Sequence, residues 1–304
     1  MNTQVGLESF ELSELQLSEF HQKGFLLVNK VLPCETVRSF VEECDSLINL
    51  VYQEGLDIVK DFGCILEPFN SWFLGNIPQG DDCEPLNKTL EGGCTELKPH
   101  TIHRQRISFF DSPAIKDAII NTLAPIAASV LPEGDLYLWN EQYIVKPPLE
   151  EAFTHGKNSD STKFRWHQDR EYLPRDFQST PTLAIWIPLQ PIYNNNGGLV
   201  FQPYPCGSKQ QTLSSKLTIL DFQSIHRLNI PSSREQDSFG NAASHVIPSP
   251  VLPGSAILIS PSIPHCSLPN MTSQFRRGYM IQFSSLPIPS ETLSLLPRKN
   301  IDSL

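Results

Sequence analysis

No Cys-x-x-Cys pair occurs among the seven cysteines, Cys34, Cys44, Cys64, Cys83, Cys94, Cys206 and Cys266. An odd count without paired spacing argues against a disulfide framework and a structural zinc site, and points to a reducing, cytoplasmic setting. Long apolar runs are also missing. None approaches the roughly 18 residues of a membrane span, and the opening MNTQVGLESFELSELQLSEF has four acidic residues and no apolar core, so no secretory signal is expected. Basic residues are few: 23 Lys and Arg stand against 33 Asp and Glu, a net charge of −10 with a pI near 5.3. Nucleic acid and anionic membranes need basic stripes, so neither is an expected partner. There is no Gly-x-Ser-x-Gly elbow for a serine hydrolase, no glycine-rich phosphate loop and no internal repeat.

Proline, by contrast, is plentiful, with 26 in 304 residues. The prolines are scattered as Pro-Pro and Pro-x-Pro, which suits many short strands joined by stiff turns. Residues 1–60 read as helical, with Val37, Phe40, Val41, Cys44, Leu47, Ile48 and Val51 forming one apolar stripe. Residues 52–100 read as an irregular excursion or lid. Ser112-Pro113 predicts an N-cap with proline in the first turn, and Pro125 a kink or restart. From about residue 134 short β-rich runs take over: Tyr137 to Val145, Thr182 to Leu189, Leu199 to Gln202, Ser255 to Ser260 and Gly278 to Phe283. Helices first and strands later indicate an antiparallel sandwich or barrel with helices outside. The expectation is one domain over 1–304. Its helical part covers about 1–133 and its β core about 134–290, with a polar insert at about 207–250.

Phe164-Arg165-Trp166-His167-Gln168-Asp169 is the most informative stretch. Residues two apart in an extended segment point the same way, so His167 and Asp169 can present an imidazole and a carboxylate to one point. A further imidazole would complete a two-His, one-carboxylate face, which suits non-haem Fe(II) with open positions. His265, just after the Ser255–Ser260 run, fits that place. Arg276, eleven residues later, stands where a guanidinium could grip a carboxylate. Taken singly, each also fits a plainer role: a core or surface histidine, or a solubilising edge charge beside Arg277. His100-x-x-His103 is a weaker metal pair, having no Cys or carboxylate partner at helical spacing. Asn140 and Gln142, read as sharing a strand face with Leu138 and Ile144, suggest inward amides. Tyr172 fits the site entrance or a strand cap.

These stretches lie in a recognisable order. Phe20 to Phe25, Gln142 to Pro148, Trp166 to Asp169 with Tyr172, Ile185 to Leu189, Asn196 to Leu199, and His265 with Arg276 together resemble the phytanoyl-CoA dioxygenase family over about residues 15–285. The resemblance implies a double-stranded β-helix (jelly-roll, cupin-like) core with flanking N-terminal helices, and Fe(II) with 2-oxoglutarate and O₂. It implies that His167, Asp169 and His265 bind iron and that Arg276 anchors the distal carboxylate of 2-oxoglutarate. Gln168, Trp186 and Arg106 are further positions it suggests for the cosubstrate pocket, and the inward amide reading places Gln142 there too. Asp169 argues against a halogenase, which replaces this carboxylate. The family's Gly-Ser-His-Lys turn appears as Cys206-Gly207-Ser208-Lys209, without its histidine.

The implied activity is oxidation of an unactivated C–H bond in a small molecule, by hydroxylation, desaturation, epoxidation or ring formation, in a specialised-metabolite pathway. Three readings compete with it: an acyl-CoA hydroxylase, a non-catalytic jelly-roll binding protein, and a cupin-like enzyme without cosubstrate. The oligomeric state is open, a homodimer included.

Overall fold

The computed structural model describes residues 11–59, 62–68, 112–154, 162–173, 175–204 and 248–288. Helix α1 (Glu14–Lys23) begins with a capping box, Ser13 accepting from the Gln16 amide while the Gln16 side chain caps Ser13 in return. It stops at Gly24, whose φ of 81° is the left-handed conformation that closes a helix. Strand β1 (Phe25–Val28) follows at once. The expectation of helix throughout residues 1–60 fails here. Phe25 to Val28 pair antiparallel with β7 (Ala256–Ile259), a partner more than 200 residues away that local periodicity cannot reveal. Helix α2 (Cys34–Gln53) is the expected amphipathic helix, burying Val37, Phe40, Cys44, Leu47, Ile48 and Val51.

Part of the 52–100 excursion also proves regular: Ile65–Leu66 form β2, paired with β3 (Tyr137–Lys146). The remaining residues of that segment from 69 onward lie outside the described residues, as does most of the 207–250 insert. Helix α3 (Pro113–Ala118) is capped by Ser112 as anticipated. A π-helical turn over Ile119–Leu123 leads into α4 (Ala124–Val130), which has Pro125 in its first turn. A short α5 (Leu149–Thr154) follows β3. Then come β4 (Phe164–His167), β5 (Thr182–Pro188), β6 (Leu199–Phe201), β7, β8 (His265–Ser267) and β9 (Arg276–Ser284). No helix among the described residues is long and apolar enough to cross a membrane.

The strands form two antiparallel sheets. The larger has the order β1-β7-β5-β9-β3-β2, and the smaller β4-β8-β6. This is the expected jelly-roll, and strand alternation divides its core in two. Leu183, Ile185 and Ile187 of β5 join Tyr279, Ile281 and Phe283 of β9 against the helices. Their neighbours Ala184, Trp186 and Met280 face the other way, into a second core shared with Leu199 and Phe201 of the small sheet. On β3 a bulge between Leu138 and Asn140 resets the alternation. Leu138 therefore lies on the helix side, not on the face of Asn140 and Gln142 where plain alternation puts it.

Phe40 of α2 is fully buried, its ring centroid 4.6 Å from that of Tyr279. Phe40→Ala is expected to cost about 3–5 kcal/mol, read as a lower midpoint in urea unfolding. A loss below about 1 kcal/mol would mean that the helix layer is not anchored through this residue.

Candidate metal centre

His167 ends β4 and His265 begins β8, and the two are directly opposed in the ladder. The antiparallel pairing sets their rings side by side, with centroids 4.3 Å apart. Asp169 opens a tight 3-10 turn (Asp169–Tyr172) two residues on, which bends its carboxylate back toward both imidazoles. Its Oδ1 lies 3.6 Å from His167 Nε2 and 3.5 Å from His265 Nε2. The three donor atoms are thus all within 4.8 Å of one another.

Both tautomers are set by the backbone. His167 Nδ1 is 2.8 Å from the Arg165 carbonyl and His265 Nδ1 is 3.1 Å from that of Ile263. A carbonyl only accepts, so each Nδ1 carries the hydrogen and each Nε2 keeps its lone pair for the centre. Burial, with His265 next to it, pushes the His167 pKa down to about 4 against the pull of Asp169. Its ring is therefore neutral at pH 7, the form that ligates metal.

The other oxygen of Asp169 is held as well. Gln282 Nε2 donates to Asp169 Oδ2 at 3.2 Å, and Asn140 Nδ2 donates to Gln282 Oε1 at 2.7 Å. Asn140 and Gln282 are cross-strand partners in the β3–β9 ladder. This amide pair leaves Oδ1 aimed at the histidines. Sequence reading placed Asn140 inward but missed Gln282. The available signal was an amide six residues beyond Arg276 on the same face of an otherwise apolar strand.

Arg276 opens the inner face of β9 and is fully buried. Its Nη1 donates to the Ile144 carbonyl at 3.2 Å, while Nε and Nη2 have no partner among the described residues. Burial lowers its pKa to about 10, so it stays charged at neutral pH. A desolvated cation without an acid is costly, and the geometry calls for an anion. The Trp186 ring lies beneath it, 5.7 Å from the guanidinium carbon, and its own N–H also has no partner among the described residues. The indole sits so close to β9 that a Cβ on Gly278 would fall 2.8–2.9 Å from it. Arg277 is committed elsewhere, with its Nε donating to Asp45 of α2 at 2.6 Å.

The triad and Arg276 line one cleft of about 680 Å³, mouth included. Of the residues singled out in the sequence, Trp186, Gln142, Asn140 and Tyr172 also line it. Gln168 does not. It lies between two residues that point at the centre, so alternation turns it away, where its amide donates to the Ser262 carbonyl and accepts from Arg170 Nε. Its expected role beside the cosubstrate is corrected to a brace between loops. Arg106, His100 and His103 lie outside the described residues.

A profile of the phytanoyl-CoA dioxygenase (PhyH) family matches residues 20–278. The chain belongs to the phytanoyl-CoA dioxygenase family. It is a non-haem, 2-oxoglutarate-dependent oxygenase that uses iron. Among solved structures, it is similar to SnoN, described as a non-haem α-ketoglutarate-dependent epimerase from nogalamycin biosynthesis. That likeness has a TM-score of 0.50 at 14% identity, over 93% of this chain and 87% of that one. It is also similar to EvdO2 from Micromonospora carbonacea var. aurantiaca, solved with 2-oxoglutarate. There the TM-score is 0.49 at 19% identity, over 93% and 94% of the two chains. At such identity the likeness to SnoN is one of fold. Among curated proteins no match is found.

The oxygenase's own residues fit both groups that the family uses. Two imidazole nitrogens and a carboxylate oxygen on one side suit Fe(II) with positions left open. The two orphaned guanidinium donors suit a carboxylate. If Gln282 orients Asp169, Gln282→Leu should weaken metal binding about 10- to 100-fold, measured by anaerobic titration of metal-free protein with Fe(II) or Co(II). An unchanged affinity would show that Asp169 needs no such support.

Proposed function

We propose that His167, Asp169 and His265 hold Fe(II) and that Arg276 holds the distal carboxylate of 2-oxoglutarate. In the same reading, the oxygenase oxidises an unactivated C–H bond of a small molecule. The observation that carries this is the fully buried Arg276, with two donors that no described residue meets, in the same cleft as the three convergent donors. When bound, iron and 2-oxoglutarate supply oxidation by O₂, with succinate and CO₂ as coproducts.

The protein's part is to bind, orient and exclude water. Asp169 and the two imidazoles occupy one side of the centre and leave the other to cosubstrate and O₂. The guanidinium fixes the far end of the keto acid. Trp139, Phe164, Tyr172, Leu199 and Met280 make much of the remaining wall apolar, which suits a hydrocarbon portion of the substrate. Arg276 is the only Lys or Arg among the described lining residues. An acyl-CoA substrate would need further cations for its phosphates, so the small-molecule reading is favoured over that alternative. A specialised-metabolite role is suggested by the pathway of the fold relative SnoN rather than by a residue of this chain. We read the chain as one oxygenase domain working in the cytoplasm, in line with the family match over 20–278 and with seven cysteines that include no Cys-x-x-Cys pair.

Anaerobic addition of Fe(II) and then 2-oxoglutarate to metal-free protein should produce the visible charge-transfer band of the chelate. Asp169→Ala should lose it, and a folded parent without the band would refute the reading. Arg276→Ala should keep its iron and bind 2-oxoglutarate about 30- to 1000-fold more weakly, the loss of roughly 2–4 kcal/mol from a bidentate charged pair. Unchanged affinity in that variant would move the anchor to another residue.

A further inference from the structure

Lys146, the last residue of β3, is opposed to Arg276 in the ladder and is likewise fully buried. Its ammonium donates to Ser267 Oγ at 2.7 Å, to the Leu268 carbonyl at 2.5 Å and to the Ser267 carbonyl at 3.4 Å. Those are three acceptors for three N–H groups, and all are neutral. The groups that bear most on it are Arg276 of β9, Cys64 ahead of β2, Cys266 of β8 and Lys163 ahead of β4. None is a carboxylate. Two basic side chains thus lie buried side by side, and no salt bridge to either is found among the described residues. Gly197 makes their closeness feasible, since a Cβ there would fall 2.9 Å from Lys146 Cδ and 3.0 Å from Arg276 Nε.

Lys146 does not line the cleft, but Ser267 and Arg276 both do. In its charged form Lys146 has no lone pair, so Ser267 Oγ accepts from it and sends its own hydrogen elsewhere. We propose that Lys146 is a positioning residue for the cosubstrate: by donating to Ser267 Oγ it turns the hydroxyl hydrogen toward the anion held by Arg276. This rests on the assignment of Arg276 as the carboxylate anchor. Burial and the neighbouring guanidinium draw Lys146 toward the neutral amine. A carboxylate arriving at Arg276 favours the ammonium, the form in which all three N–H groups donate. The charge of Lys146 thus reaches the ligand through a hydroxyl, without direct contact.

A purely structural lysine would tie β8 to β3 and do nothing more. The two roles separate with a pair of ligands, 2-oxoglutarate and 2-oxopentanoate, which share the keto-acid head but differ in the distal carboxylate. Binding of each is measured by anaerobic visible titration of the Fe(II)-loaded full chain, for the parent, Lys146→Met, Ser267→Ala and the double variant. Each single variant is expected to weaken 2-oxoglutarate about ten-fold or more, with 2-oxopentanoate and iron held within about two-fold. The double variant should bind 2-oxoglutarate no more weakly than either single one, because both remove the same hydrogen bond.

Equal weakening of both ligands, no weakening of 2-oxoglutarate, or losses that multiply in the double variant would overturn the proposal. Should Lys146→Met fail to fold, Ser267→Ala decides alone, since the relay requires a loss selective for 2-oxoglutarate there. A parent that does not bind 2-oxoglutarate overturns the Arg276 assignment itself. A parent that binds it, with variants that bind it equally well, overturns only the role of Lys146.

Discussion

The register of β9 between β3 and β5 is the constraint on which the rest of the site depends. Arg276, Met280 and Gln282 point into the cleft only because Tyr279, Ile281 and Phe283 are claimed by the helix-side core. A slip of one residue would exchange the two sets. It would carry the guanidinium and the Asp169 brace into an apolar layer, and aromatic rings into the cleft. Such a slip is opposed from both sides, because β9 is paired along most of its length with β3 and also with β5. The helix layer adds a polar lock: Tyr279 donates to Glu141 at 2.6 Å and Tyr143 donates to Glu43 of α2 at 2.7 Å. Stability of the outer layer and accuracy of the inner one are thus two results of the same pairing.

Charge is distributed unevenly over this frame. At one end of the cleft a single carboxylate serves two imidazoles, and a chain of neutral amides holds it. At the other, two buried basic groups are met only by neutral oxygens among the described residues. An interior of low polarity amplifies the resulting field, because little solvent is present to screen it. A ligand with a metal-binding head and an anionic tail meets complementary groups at both ends.

Much of this was legible in the sequence. The His167, Asp169 and His265 set could be read because a two-residue spacing on a strand needs only local alternation, and the family order supplied the distant histidine. Arg276 was legible for the same reason. Less accessible were residues whose partners are far along the chain: Gln282 through Asp169 and Asn140, and Lys146 through Ser267, 121 positions away. Strand β1 was hidden likewise, four apolar residues beside a helix whose role is decided by β7. Gln168 was misread because its neighbours' importance was lent to it, although alternation points it the other way. Leu138 was misplaced because an extra residue in β3 changes the phase of the strand.

The contact between Trp186 and Gly278 makes those two positions a single unit of volume. The indole occupies space that any side chain at 278 would need, and the strands hold Gly278 opposite Pro188, two residues beyond the tryptophan. Bulk can therefore move from one strand to the other only by exchange. A larger residue on β9 becomes tolerable when the one on β5 shrinks, and the floor beneath the guanidinium would then be remade in a different shape. A side chain added at 278 alone meets a steric barrier and a smaller residue at 186 alone leaves a cavity, so drift in this part of the cleft favours paired steps.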